Sequence, residues 1–500
     1  MRKLQAGVWP SVKARLGPRA LTPGPLRSDE WMTRDDDTLV VIAGFPRVVP
    51  NASVRALKLG FPLLAMVLLT APARASFFDT YGFSARAVGR GNAMAALGFD
   101  YDAAYYNPAN ILSRKRVHLG IGFDLIAPDF DVRSVEGETD PIYPETTTGF
   151  HLGMSTPISG IFGDKLGFGF AFFHPLSTGT NVSSVDPSTP WFYRYQSLPD
   201  KLILAAALAF EPVDWLRIGV GVQILAGLDG RVDASLSLAE GRFLRESIDV
   251  EVVPTAAPTL GLALGPLPLF GGELRFGATW RSDLELEYSL PVTVDIDEVG
   301  ALKVLVKGTS LYTPNQLALG LGWESASFPA TGVSIEAGIT YEQWSSAPPA
   351  GARFALTIDN AHLHPSDPQD VPEDLIDVNA DLIPLGAKDT ITTRVGLEWR
   401  PTTYLALRAG YFYRPTPLPT PIYQTNTLDS GAHVISLGAG FTFGDPTGIS
   451  AAPVSIDLSG QLTRLSTRAI EKDPIAGNPQ GAYEASGLVF HLSLDLRHDF

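Results

Sequence analysis

From Leu488 to the end of the chain, every second residue is apolar with few exceptions. Leu488, Phe490, Leu492, Leu494, Leu496, His498 and Phe500 share one face, while Val489, His491, Ser493, Asp495, Arg497 and Asp499 share the other. Period two is the mark of a strand with one greasy and one wet side. The pattern recurs upstream. Val454, Ile456, Leu458 and Leu462 oppose Ser455, Asp457, Ser459, Gln461 and Thr463, and Val395, Leu397 and Trp399 oppose Arg394, Gly396 and Glu398. Further back, Val333 to Tyr341, Leu274 to Trp280 and Leu216 to Ile224 alternate in the same way.

About fourteen such segments fit between Val117 and Phe500. Short connections fall near Pro157–Asp164, Glu211–Asp214, Gly265–Gly271, Ser325–Thr331, Arg400–Thr403 and Gly444–Ala452. Long ones lie between them, near 128–147, 174–199, 227–246, 283–308, 346–389, 414–431 and 466–483. This switch between tight turns and long loops predicts an all-β fold, a transmembrane antiparallel β-barrel in an outer membrane. A soluble propeller or sandwich array would show a blade-length repeat, or buried strands apolar on both faces, and neither is present. Trp215, Trp280, Trp323, Trp344, Trp399, Tyr411 and Tyr413 fall near strand ends, where a headgroup belt would place them. Closure removes every edge strand and satisfies the backbone donors that lipid cannot.

Composition agrees. The 500 residues are 45% hydrophobic and only 18% charged, with a mean hydropathy of +0.10. No run of about 18 apolar residues accounts for that value. The absence of cysteine excludes disulfide scaffolds, zinc clusters and thiol catalysis. A net charge of -15 argues against nucleic acid as a partner. The longest apolar run, Leu59 to Leu69, follows Arg55 and Lys58 and precedes Ala73-Arg74-Ala75. That order predicts a signal peptide over 54–75, cut before Ser76; the alternative is a buried core helix. Residues 1–53 then precede a signal peptide, as a misplaced start or as a disordered extension.

Residues 76–116 are rich in Gly and Ala and do not alternate. A fourteen-stranded barrel leaves a lumen that wall side chains do not fill, so this segment is expected to plug it; the alternative is a periplasmic tail. The stretch Gly82-Phe83-Ser84-Ala85-Arg86-Ala87-Val88-Gly89-Arg90-Gly91-Asn92, followed by Asp102-Ala103-Ala104-Tyr105-Tyr106-Asn107-Pro108-Ala109, resembles the N-terminal hatch of the outer-membrane long-chain fatty-acid and hydrophobic-compound transporters, the FadL/TodX-like family. Arg408 to Pro417, followed by Asp429, resembles that family's late strand and Pro-rich loop. The resemblance covers the mature chain in architecture but only these two segments in motif, and it departs in the loops, notably at 346–389. It implies a monomeric barrel over 117–500 with a hatch over 76–116, which takes up hydrophobic small molecules such as long-chain fatty acids or aromatic hydrocarbons. The hatch candidates are Asn92, Asn107, Pro108 and Ala109. Read blandly, Asn107-Pro108 is only a turn.

The family's third strand is kinked. Gly167, Gly169 and Pro175 in LGFGFAFFHP are the candidates for such an irregularity here; otherwise Pro175 merely begins the outer loop. Phe173, Trp191, Phe192 and Tyr193 are candidates for an outer greasy groove, unless they simply pack the loop. Arg217, Arg275, Arg394 and Arg408 face inward by phase and would suit a ligand carboxylate, unless they pair with lumen acids. The expected partners are a hydrophobic ligand, outer-membrane lipid and lipopolysaccharide, and the barrel-assembly machinery through the C-terminal Phe500.

An enzyme is not expected. No nucleophile elbow, phosphate loop or HExxH motif occurs, and His362-x-His364 alone makes a poor metal site. No cofactor or metal is implied. The stronger rival is a general diffusion porin or a structural surface barrel, and the plug-like segment favours facilitated uptake over both.

Overall fold

The computed structural model describes residues 78–500 apart from 135–145, 161, 177–189, 197–202, 226–228, 234–246, 252–254, 297–299, 349–351, 360–384, 423–425, 447, 449–451 and 474–480. The expected extension over 1–53, the signal peptide over 54–75 and the pair His362 and His364 lie outside the described residues.

Alternation becomes a closed barrel of fourteen strands. They are β1 His118–Ser134, β2 Thr147–Pro157, β3 Leu166–Pro175, β4 Ile203–Val213, β5 Leu216–Leu225, β6 Thr255–Leu269 and β7 Gly272–Arg281. The second half comprises β8 Gln316–Ser325, β9 Gly332–Glu342, β10 Thr390–Thr402, β11 Leu405–Arg414, β12 Ala432–Gly444, β13 Pro453–Ile470 and β14 Tyr483–Asp499. Each strand pairs antiparallel with its neighbour in sequence, and β1 closes on β14 from His118↔Asp499 to Ser134↔Tyr483. Short turns separate β2 from β3, β4 from β5, β6 from β7, β8 from β9, β10 from β11 and β12 from β13, as the spacing predicts. The chain enters β1 and leaves β14 at this short-turn end.

Side-chain burial follows the two phases. On β5 Ile218 and Val220 are exposed on the outer face, while Arg217 and Gly219 are buried inside. On β14 Phe490, Leu492, Leu494 and Leu496 face out, and His491, Ser493, Asp495 and Arg497 face in. An apolar outer face costs nothing in lipid, so the usual rule of apolar inside is inverted. Trp215, Trp280, Trp399, Tyr411 and Tyr413 are exposed at strand ends as expected. Trp344 departs from that expectation. It is 3% exposed, because it begins a 3-10 turn, Trp344–Ser346, that folds it between Tyr193 and Tyr312.

Two expectations about connections need revision. The loop expected at 283–308 is a hairpin, Leu284–Ile296 paired with Gly300–Thr313. Only two residues separate it from β7 and two from β8, so it continues both strands on the long-loop side. It joins Asp229–Asp233, Ser247–Glu251 and Ala352–Asp359 in a separate five-stranded sheet on the long-loop side. Among the described residues the ladder shows no irregularity at Gly167, Gly169 or Pro175. β3 pairs in unbroken register with β2 from Gly149↔Pro175 to Pro157↔Gly167, and with β4 from Leu166↔Phe210 to Phe173↔Ile203. Pro175 is the last residue of its strand, where its missing donor costs no ladder bond. The two glycines serve clearance: a Cβ on either would run into Ile111 of the N-terminal segment.

Candidate functional site

The N-terminal segment packs against inward-facing positions from strands all around the barrel. It has little regular structure: α1 Phe78–Tyr81, α2 Ala85–Gly89, α3 Ala103–Tyr106 and a 3-10 turn, Pro108–Leu112. Ser84 caps α2, its hydroxyl accepting from Ala87 N at 3.2 Å. Ala85, Ala87, Val88, Ala103, Ala109, Ile111 and Leu112 are fully enclosed. Small residues on both sides let backbone meet backbone. A Cβ at Gly410 would collide with Gly91 N, at Gly277 with Ala95 O, at Gly219 with Ala109 N, and at Gly396 with Arg90 O. The wall is therefore moulded to the segment by the omission of side chains.

Asn107, Pro108 and Ala109 form a corner of the segment, between α3 and the 3-10 turn. Asn107 ends α3 and caps the 3-10 turn, its Oδ1 accepting from Ala109 N at 3.1 Å. Its Nδ2 donates to Ala95 O at 2.8 Å and to Leu262 O of β6 at 3.1 Å. Pro108 opens the 3-10 turn, where its fixed φ is favourable and no donor is missed. Asn92 has a φ of 59°, a left-handed conformation that Asn tolerates. Its Oδ1 accepts from Tyr106 OH at 3.0 Å, and its backbone carbonyl accepts from Arg394 Nη1 at 3.2 Å.

Wall side chains fasten the rest. Glu336 accepts from Ala96 N at 2.9 Å and Leu97 N at 2.8 Å. Arg281 donates to Tyr105 OH at 2.9 Å, and Thr279 to Tyr106 O at 2.9 Å. Asp495 accepts from Ala85 N at 2.8 Å and from Tyr101 OH, and its other oxygen meets His151 Nε2 at 2.8 Å. Glu398 holds Arg86 at 2.9 Å, and Arg497 meets Asp100 at 3.2 Å. None of these fastening residues except Arg394 was singled out from sequence. Their inward phase was legible in the polar face of each strand; their partners were not.

Two groups in the segment carry displaced protonation equilibria. Burial, aided by the Asp100 carboxylate, pushes Asp102 up to about 7. Asp102 accepts from Ser84 Oγ at 2.7 Å. Burial, aided by the neighbouring Arg86, brings the Arg90 guanidinium down to about 10. Its nearest carboxylate oxygen, on Glu398, is 3.7 Å away.

Of the four inward arginines, Arg275 pairs with Glu324 at 2.9 Å and Glu273 at 2.7 Å. Arg408 pairs with Asp457 at 2.6 Å and Glu398 at 3.3 Å. Both are therefore in contact with wall carboxylates. Arg394 serves the segment, and Arg217 has no carboxylate within 4 Å among the described residues. The aromatic candidates gather on the long-loop side. Trp191–Phe192 pairs in parallel with Thr427–Leu428. Phe192 packs against Phe130 of β1 with its ring tilted by 37°, ring centres 4.1 Å apart, and Tyr195 lies 6.5 Å from Tyr81 of the segment. Tyr193 packs against Trp344 at 6.2 Å, and Phe173 is buried on the inner face of β3 beside Gly149. A cavity of about 40 Å³ lies between Asn92, Met94 and Tyr106 of the segment and Arg281, Glu336, Gly338 and Arg394 of the wall. It has room for a few water molecules and none for a fatty chain.

A family model described as outer membrane protein transport protein (OMPP1/FadL/TodX) matches residues 66–498. Alkane uptake protein A of Marinobacter nauticus is 24% identical over 448 residues, spanning 84% of this chain and 91% of that protein. Among solved structures, a deltaS2S3 mutant of the TodX monoaromatic hydrocarbon channel superposes with a TM-score of 0.51 at 14% identity. That alignment covers 85% of this chain and 100% of the channel, and it shows a shared fold. A Pseudomonas aeruginosa FadL homologue gives a TM-score of 0.49 at 17% identity, over 86% and 99% of the two chains.

Proposed function

Since the chain belongs to the OMPP1/FadL/TodX family of outer-membrane transport proteins, we propose that it admits hydrophobic small molecules, alkanes or fatty acids among them, by displacement of its lumenal segment. The family consists of transport channels for hydrophobic compounds rather than enzymes, and its place is the outer membrane. The observation that carries the proposal is the fastening of residues 78–112 inside the barrel. Most of these hydrogen bonds and ion pairs join a polar wall group to the segment, and water can replace each of them. Buried ion pairs add little net stability because desolvation offsets their attraction. A plug held this way sits in one register yet can leave it at modest cost.

The relative's alkane uptake supports a neutral hydrocarbon as one ligand class. The aromatic cluster of Phe130, Phe192, Tyr195 and Tyr81 supports capture on the long-loop side, because it meets the segment where a ligand from outside would arrive. The test is uptake of labelled hexadecane, palmitate and toluene by cells with and without the protein, set beside its conductance in planar bilayers. Uptake of at least one hydrophobic compound with small conductance is expected. Large steady conductance with no hydrophobic uptake would establish a diffusion porin instead.

A further inference from the structure

Arg217 lies on the inner face of β5, near the short-turn end, and is 3% exposed. Its Nε and Nη2 are buried without an acceptor among the described residues. The carboxylates around it are engaged elsewhere. Glu211 holds Lys115 at 2.6 Å, and Glu324 divides its oxygens between Arg114 at 2.5 Å and Arg275 at 2.9 Å. The register puts Arg217 opposite Ala263 of β6, and Ala263 opposite Gly277 of β7. At the height of Arg217, the next two strands thus carry only a methyl group and a hydrogen. Two residues farther along β5, Gly219 abuts Pro108 and Ala109 of the plug corner.

We propose that Arg217, with Arg275 and Arg114 beside it, forms an oxyanion site at the short-turn end of the lumen, next to the plug corner. A planar guanidinium presents a fork of donors that matches the two oxygens of a carboxylate or phosphate. Left buried without an acceptor it is costly, and an anion completes it. The anion is the carboxylate of a ligand leaving the lumen, or free inorganic phosphate. The choice of a leaving ligand rests on the transport reading; the site itself does not.

The experiment titrates the full chain, purified in detergent without phosphate, with decanoate, decanol and inorganic phosphate in a calorimeter. Decanoate is expected to bind about tenfold more tightly than decanol, the worth of one charge-assisted bond. Arg217→Gln brings decanoate to the level of decanol and leaves decanol unchanged. Arg217→Lys, which keeps the charge and loses the fork, serves if the glutamine variant does not assemble, and retains part of the preference. Phosphate binding that is lost in the variant, without a decanoate preference, assigns the site to the free ion. Equal binding of decanoate and decanol with no phosphate binding overturns the proposal. Hydrocarbon uptake would survive that result, so the transport reading fails or stands separately.

Discussion

Asn107 does the work of three residues at one corner. It ends one helix, starts the next turn and fixes both to β6. Asn107→Ala leaves Ala95 O without one donor and Leu262 O without another, costing about 1–3 kcal/mol of seating energy. Amide hydrogen exchange over residues 92–112 should accelerate, while exchange in β13 and β14 should not. Asp102 sets a pH dependence. Its carboxyl is raised to about 7 when seated and returns to the ordinary carboxylate range once the segment is hydrated. The seated state therefore holds the proton longer. Its contribution is full below about pH 4 and is lost as pH rises through about 7. Opening events in bilayer recordings should become more frequent between those limits. Asp102→Asn should flatten that part of the profile.

At the scale of elements, the strands are built for two neighbours at once. Each pairs sideways in the barrel and also leaves room for the plug. Gly277, Gly396 and Gly410 mark where the plug backbone touches the wall. Gly277→Val or Gly410→Val should keep the barrel, whose outer face and ladder are untouched, and unseat the plug. Steady conductance should rise while heat-modified migration on gels stays as in the parent. β3 teaches a related lesson. Its glycines look like a kink in sequence, but the ladder runs through them, and only the Ile111 and Leu112 side chains behind the wall explain them.

For the molecule as a whole, the inner wall and the N-terminal segment share a mixed core, apolar around Phe83, Tyr105, Ile111 and Phe173 and polar around Glu398, Arg497 and Asp495, enclosed by an apolar exterior. Deleting residues 78–112 would remove the partners of Glu336 and of one oxygen of Asp495. Buried wall charges would then meet water, which can solvate them. The barrel should still assemble, and conductance should rise at least about tenfold, since a lumen of this strand number is wide enough for water. A deletion variant that conducts no better than the parent would remove residues 78–112 from the role of plug.

Much of this was legible in the linear chain. Alternation is a local property, set by the backbone's own period, so strands, turn positions and the inner face of Arg217, Glu398 and Asp495 could be read directly. The Gly/Ala-rich break in that pattern likewise pointed to a segment apart from the wall. Pairing inside the lumen is another matter. Asp495 meets Ala85 and Glu398 meets Arg86 across hundreds of residues. Such partners are chosen by barrel closure, which brings β1 to β14 and sets the height of every inward side chain against the plug. Only that closure decided that Arg275 and Arg408 are tied to acids, that Trp344 is buried, and that Arg217 is left without a paired carboxylate among the described residues.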